Sequence, residues 1–171
     1  YRDYRWRDLP KLLHRTVKTV SIVMILIGFA AAFGYLMTLM QIPLKVTAFF
    51  STLSDNRYVI LMMINVLLLA LGTLMDMAPL ILILTPILLP MVVKLGVDPV
   101  HFGLIMVLNL MIGLVTPPVG MVLYILSRVS GLTFEQTTRA CAPFLIPLFL
   151  CLALVTYWEG MVMWLPTLIY R

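Results

Sequence analysis

Residues 109 to 120 read Asn109-Leu110-Met111-Ile112-Gly113-Leu114-Val115-Thr116-Pro117-Pro118-Val119-Gly120, a double proline inside an apolar run long enough to cross a bilayer. Proline has no N–H and its ring clashes with the preceding turn. Pro117 and Pro118 therefore deprive the carbonyls of Gly113 and Leu114 of their partners four residues on. The residue before a proline leaves the α region, which places the break at Thr116 with its hydroxyl at the gap. In hydrocarbon, irregular backbone persists only where it is buried in protein or lines a polar cavity. A half-helix ending here offers carbonyls to a cation, and one starting near Val119 offers its positive end to an anion. The competing reading is a plain kink whose freed carbonyls are met by a neighbouring helix or hydroxyl.

Working outward, composition sets the class. Of 171 residues 63% are hydrophobic and 11% charged, with a mean hydropathy of +1.09, which is too apolar for a soluble domain and reads as an integral membrane protein. The net charge of +5 is concentrated at the start, where Arg2, Arg5, Arg7, Lys11, Arg15 and Lys18 face Asp3 and Asp8 beside Trp6 and two tyrosines. The positive-inside rule makes this end cytoplasmic, and a basic, aromatic stretch leading into an apolar run is a membrane-surface segment rather than a nucleic-acid patch. It is not a signal peptide. The start at Tyr1 is expected to be internal to a longer polypeptide. Cys141 and Cys151, without a C-x-x-C or a His cluster, read as packing residues and indicate neither a disulfide framework nor a metal site.

Val20 to Met40 carries no charge and predicts an outward span. After Pro43, the mixed stretch Ile42 to Leu53 suits a helix lying in the interface. Tyr58 to Val93 is nearly all apolar but interrupted by Gly72-Thr73-Leu74-Met75-Asp76-Met77-Ala78-Pro79. Each arm is short for a full span, so a re-entrant helical hairpin is expected, although charge parity alone equally allows two short spans. Gly72 is expected to end the first arm in the left-handed conformation, Asp76 to N-cap the second, and Pro79 to sit in its first turn. An intramembrane Asp is also a functional candidate by default. Thr85-Pro86 and Pro90 loosen the second arm.

A polar outer loop, Lys94 to Pro99, precedes the broken span Val100 to Leu126. Asn65 and Asn109 read as interhelical hydrogen-bonding amides, with Asn109 one turn before Gly113 and on the same face, where it can border the site. His101 reads as an outer-interface residue. Ser127 to Ala142 is expected to be a short amphipathic connector capped near Thr133, followed by a last span from Pro143 to about Leu168 in which Glu159 snorkels to the headgroups. The boundaries are therefore a basic segment 1–19, a scaffold helix with its interfacial arm 20–56, the hairpin and broken helix 57–129, and the connector with the last span 130–171. No H-E-x-x-H, Gly-x-Ser nucleophile or second membrane-depth Asp is present, so an intramembrane protease is excluded and the chain is not expected to be an enzyme. Hydropathy leaves a passive channel or a structural membrane subunit open.

Taken together, Gly72-x-x-x-Asp76, Thr85-Pro86-Ile-Leu-Leu-Pro90, Gly96-Val-Asp98-Pro99-Val-His101-Phe-Gly103, Asn109-x-x-x-Gly113-x-x-Thr116-Pro117-Pro118-Val-Gly120 and Trp164-Leu165-Pro166 resemble, over essentially the whole chain, the C-terminal half of the large membrane subunit of TRAP transporters, the tripartite ATP-independent periplasmic importers. The resemblance implies an all-α integral membrane fold, one inverted repeat of an elevator-type carrier, in the bacterial inner membrane. It implies sodium-driven import of an organic acid, with sialic acid favoured and a C4-dicarboxylate next. The implied partners are a periplasmic binding protein that delivers the substrate, a small membrane subunit, separate or fused, and the other half of the large subunit. It assigns a sodium site to Gly72, Gly113, Thr116 and Val119, mostly through backbone oxygens; the hard cation suits them, and Asp76 is added at one remove or directly. The substrate carboxylate would meet the half-helix after Pro117 and Pro118, with Thr73 and Asn109 as further polar contacts.

Overall fold

The apolar stripe Ile60, Ile64, Leu68 and Gly72 recurs every fourth residue, and it decides how the central helices meet. In a computed structural model, which describes residues 9–54 and 56–169 with the side chain of Ser51 left aside, this stripe belongs to a helix α3, Arg57–Leu74. It packs most extensively on α5, Pro99–Val115, whose buried face includes Phe102, Ile105, Met106 and Leu110. Asn65 meets Asn109 and Gly72 meets Gly113, in the same order along both helices, so α3 and α5 run parallel with their C-terminal ends together. Between them in sequence, α4 (Met77–Lys94) turns back, continuous despite Pro86 and Pro90.

The other elements build around this pair. Helix α1, Leu9–Leu39, takes in the basic positions Lys11, Arg15 and Lys18, while Arg2, Arg5, Arg7 and Trp6 lie outside the described residues. It has no fully buried residue; Ala30, Phe33, Gly34 and Met37 form its half-buried stripe, and Gly34 lies against Pro86 of α4. The expected interfacial arm is α2, Ile42–Leu53, with Pro43 in its first turn, entered through Gln41 in the left-handed conformation at φ 55°. It rests on α4. Beyond the broken column of α5 and α6 (Met121–Ser130) follow α7 (Phe134–Tyr157) and α8 (Glu159–Ile169).

By length and composition, four helices of the described residues can cross a membrane: α1, α3, α4 and α7. Helix α7 is antiparallel to the α5–α6 column. Phe134 at its start stacks on Tyr124 of α6, and Val155 near its end accepts a hydrogen bond from His101 of α5. From Phe134 to Val155 it rises about 32 Å, a bilayer core. Gly72 meets Gly113, only about 18 Å along α5 from His101, so the tip of the α3–α4 hairpin stops roughly halfway down the column.

Several expectations are corrected. Gly72 does not end α3: it is helical and buried, and the arm closes at Met75 with extended backbone. The connector and last span are not separate. Thr133 forms a full capping box with Gln136, but the helix it starts runs on through Pro143 and Pro147. Both prolines sit on the exposed face, so the carbonyls they leave free fall on one side of a continuous helix. The chain breaks instead at Trp158, which separates α7 from α8. The carboxylate of Glu159, for which snorkelling is expected, takes a 2.7 Å bond from Arg57 at the start of α3. His101 is no interface residue but is buried, its Nε2 2.7 Å from the Val155 carbonyl, which can only accept, so the proton is on Nε2. Cys151 lies exposed on α7 rather than packed.

Candidate functional site

Two chain interruptions converge at the level where α3 and α5 end. The first is the hairpin tip. Met75 and Asp76 are both extended, and the Asp76 carboxylate accepts from the Met77 N–H at 2.7 Å, capping α4 as its residue type favours. Asp76 is exposed. The second is the double proline. Helix α5 closes on Thr116, at φ −98° and ψ 132°, where the constraint of the following proline places it. The Pro117–Pro118 peptide is cis. Helix α6 begins at Met121 behind Gly120, two residues later than the Val119 start expected; Gly120 stands at φ 52°, where a side chain would also meet Leu123 at 2.8 Å.

The break is partly healed from within. The Thr116 N–H donates to the Gly113 carbonyl at 3.0 Å, and its hydroxyl donates to the Ile112 carbonyl at 2.7 Å. Gly113 thus keeps one lone pair free, and Leu114 loses the donor that Pro118 cannot supply. The Thr116 hydroxyl oxygen likewise still has acceptor capacity. Pro117 and Pro118 are exposed, Thr116 and Val119 half-buried.

What joins the two interruptions is the contact of Gly72 with Gly113. A Cβ built on Gly113 would lie 2.7 Å from the Gly72 carbonyl carbon and 2.8 Å from its Cα; one on Gly72 would lie 3.2 Å from the Leu110 carbonyl oxygen. Backbone meets backbone here, so no side chain can turn aside. The glycine at 72 is required for close approach, not for a left-handed cap. Of the expected cation residues, Gly72 and Gly113 are in contact, Thr116 closes α5 and Val119 lies in the turn that follows it. Among the described residues there is no cluster of three or more His, Cys, Asp or Glu. A cation held here would depend on carbonyl and hydroxyl oxygens, a donor set that suits a hard ion.

Two expected substrate contacts are buried. Thr73 is buried under Gly113 and its hydroxyl turns back to the Ala70 carbonyl at 2.8 Å. Asn109 is fully enclosed, 0% exposed, and its amide donates to both the backbone and side-chain oxygens of Asn65 at 3.0 Å. It is an interhelical amide and not an open contact, because the α3–α5 interface closes over it. The reading of the sequence missed Thr156, which accepts from Asn65 at 2.9 Å. Its only signal is a threonine in the apolar second half of α7.

The chain matches over residues 1–161 the family model described as Tripartite ATP-independent periplasmic transporter, DctM component. It is 43% identical over 98% of its length to the sialic acid TRAP transporter large permease protein SiaM of Vibrio cholerae, and 39% identical over 97% to the C4-dicarboxylate TRAP transporter large permease protein DctM of Pseudomonas aeruginosa. With the isethionate TRAP transporter permease protein DctMQ of Oleidesulfovibrio alaskensis it shares 48% identity over 81% of the chain. The chain spans 39% of the length of each of the first two relatives and 22% of the third. These relatives are transport permeases, not enzymes.

Proposed function

We propose, because the chain belongs to the family of DctM components of tripartite ATP-independent periplasmic transporters, that it is one half of a multi-pass permease for sodium-coupled import of a small organic anion. The observation that carries this reading is the backbone contact of Gly72 and Gly113 beside a helix broken by Pro117 and Pro118. Helix ends that meet at half-depth give a cation oxygens without a carboxylate cage, and sodium fits that set. In this reading Gly72, Gly113, Thr116 and Val119 hold the ion, with the Asp76 carboxylate adding negative charge at the same level. The α3–α4 pair is a re-entrant hairpin whose tip reaches the middle of the membrane.

The anion would approach the exposed Pro117–Pro118 turn and the N-terminus of α6, whose unpaired N–H groups and dipole favour negative charge. The substrates in the names of these relatives are carboxylates or a sulfonate, and negative charge is common to all of them; sialic acid is favoured by the relative that matches 98% of the chain, against 81% for the isethionate permease. The remaining length of the relatives is where the second half of the site, an inverted counterpart of this repeat in an elevator-type carrier, is expected. A periplasmic binding protein and a small membrane subunit complete the importer, and the DctMQ relative suggests that the latter can be fused.

The test is uptake of labelled sialic acid, and separately of a C4-dicarboxylate, into proteoliposomes holding the complete transporter and its binding protein, with and without an inward sodium gradient. Accumulation only with sodium and binding protein supports the reading. Equal flux in all arms would make the protein a passive channel. Thr116→Val, which removes the hydroxyl oxygen, should raise the sodium concentration for half-maximal uptake by about tenfold while the assembled amount stays near wild type.

A further inference from the structure

We propose that the hydrogen-bonded chain from Asn109 through Asn65 to Thr156 is a positioning device that fixes the register of α3 against α5, and so sets the affinity of the site at Gly72 and Gly113. Each link is short and directional. The Asn109 amide donates to the Asn65 backbone oxygen and to its Oδ1, both at 3.0 Å; the Asn65 amide donates to the Thr156 Oγ1 at 2.9 Å; and the Thr156 hydroxyl donates to the Leu152 carbonyl at 2.7 Å. One chain of bonds thus crosses three helices. Asn109 and Thr156 are buried, and the Asn109 Oδ1 is enclosed without a partner, so the network is kept despite the cost of one unsatisfied oxygen.

Its place explains what that cost secures. Asn65 lies two turns before Gly72 and Asn109 one turn before Gly113, on the faces that carry those glycines. The rest of the α3–α5 contact is apolar, built from residues such as Ile64, Leu68, Phe102 and Leu110. Apolar contacts have no direction, and between helices in lipid they lack the water-driven force that would punish a small slip. A slip of one residue, roughly 1.5 Å, would bring a side chain to where the Gly113 Cβ position already lies 2.7 Å from backbone. A directional polar bond close to the glycines adds to that steric limit, and the same chain of bonds, together with the bond of His101 to Val155, references both helices to α7. The functional consequence rests on the sodium reading above.

The experiment uses the complete transporter in proteoliposomes. The double variant Asn65→Leu with Asn109→Leu keeps the branched side-chain shape and the number of heavy atoms and leaves no orphaned amide. It should raise the sodium concentration for half-maximal uptake about fivefold, with maximal rate and assembled amount near wild type. Thr156→Val should shift it in the same direction, and Thr156→Ser, which keeps the hydroxyl, should not. Amide exchange over 70–76 and 112–120, measured without sodium, should be faster in the double variant. A sodium-dependent wild type with unchanged half-saturation and exchange in the double variant overturns the proposal and leaves the sodium reading standing. If wild-type uptake ignores sodium, that reading fails, and exchange alone decides whether the network sets register: faster supports it, unchanged overturns it. If the double variant does not assemble, the Thr156→Val and Thr156→Ser pair decides in the same way.

Discussion

Glycine has two uses, and Gly72 shows why sequence does not separate them. It can supply a positive φ at the end of a helix or remove a side chain where two backbones touch, and both leave the same letter near an apolar run. The structure selects the second through Gly113, a residue 41 positions away whose own Cβ would sit 2.7 Å from the Gly72 carbonyl carbon. Gly113→Ala should therefore force α3 and α5 apart at a cost of about 1–3 kcal/mol, because neither neighbour is a side chain able to rotate away. Gly103→Ala on the same helix meets nothing within 4 Å and should be neutral or stabilising by up to about 1 kcal/mol. Thermal unfolding of both variants in detergent checks the contrast, and equal stability would remove the close-approach role. Thr116, in contrast, was legible beforehand. A proline dictates the conformation of the residue before it by local sterics, with no tertiary information needed. His101 and Glu159 were not, since each partner, Val155 and Arg57, is supplied from more than 50 residues away.

At the scale of elements, the helix bounds follow the same division. Helix α2 and the turn into α5 are punctuated locally: Pro43 in the first turn of one, Asp98 accepting from Val100 N–H at 2.7 Å at the start of the other. Helix α4 ends in a turn with the Val97 N–H on the Val92 carbonyl and the Gly96 N–H on Val93, with Gly96 at φ 76°. Where the expectation fails, it places the boundary at Pro143. Pro143 and Pro147 lie in an exposed face of α7, and the surrounding helical bonds suffice to carry the chain through. The tip is the element with a double role, and Asp76 separates its two parts. Asp76→Asn keeps an N-cap acceptor and loses the charge, whereas Asp76→Ala loses both and should cost about 1 kcal/mol of stability. If the carboxylate serves the cation, both variants raise the sodium requirement and only the alanine variant is also less stable. A sodium requirement unchanged in Asp76→Asn would reduce Asp76 to a cap.

For the whole molecule, the decisive question is how deep the hairpin reaches. Helices α3 and α4 are each 18 residues, and composition alone lets both cross. The packing argues otherwise, because the tip abuts Gly113 while α6 continues for another 10 residues, about 15 Å, beside α7. Two full spans would put Met75 at the face of the membrane that holds Gly131, and a re-entrant hairpin would leave it at a depth midway between that face and the one holding Lys94. Single cysteines at Lys94, Met75 and Gly131, in a full-length background with Cys141 and Cys151 replaced by serine, separate these cases. A membrane-impermeant thiol reagent should label Lys94→Cys from one face and Gly131→Cys from the other. Met75→Cys should react slowly from either face and, if the proposed sodium site lies beside it, more slowly still when sodium is added. Labelling of Met75→Cys as fast as Gly131→Cys, and from the same face, would make α3 and α4 spans and take the tip away from the break. The same outcome would contradict the contact between Gly72 and Gly113, so one measurement tests the fold and the site together.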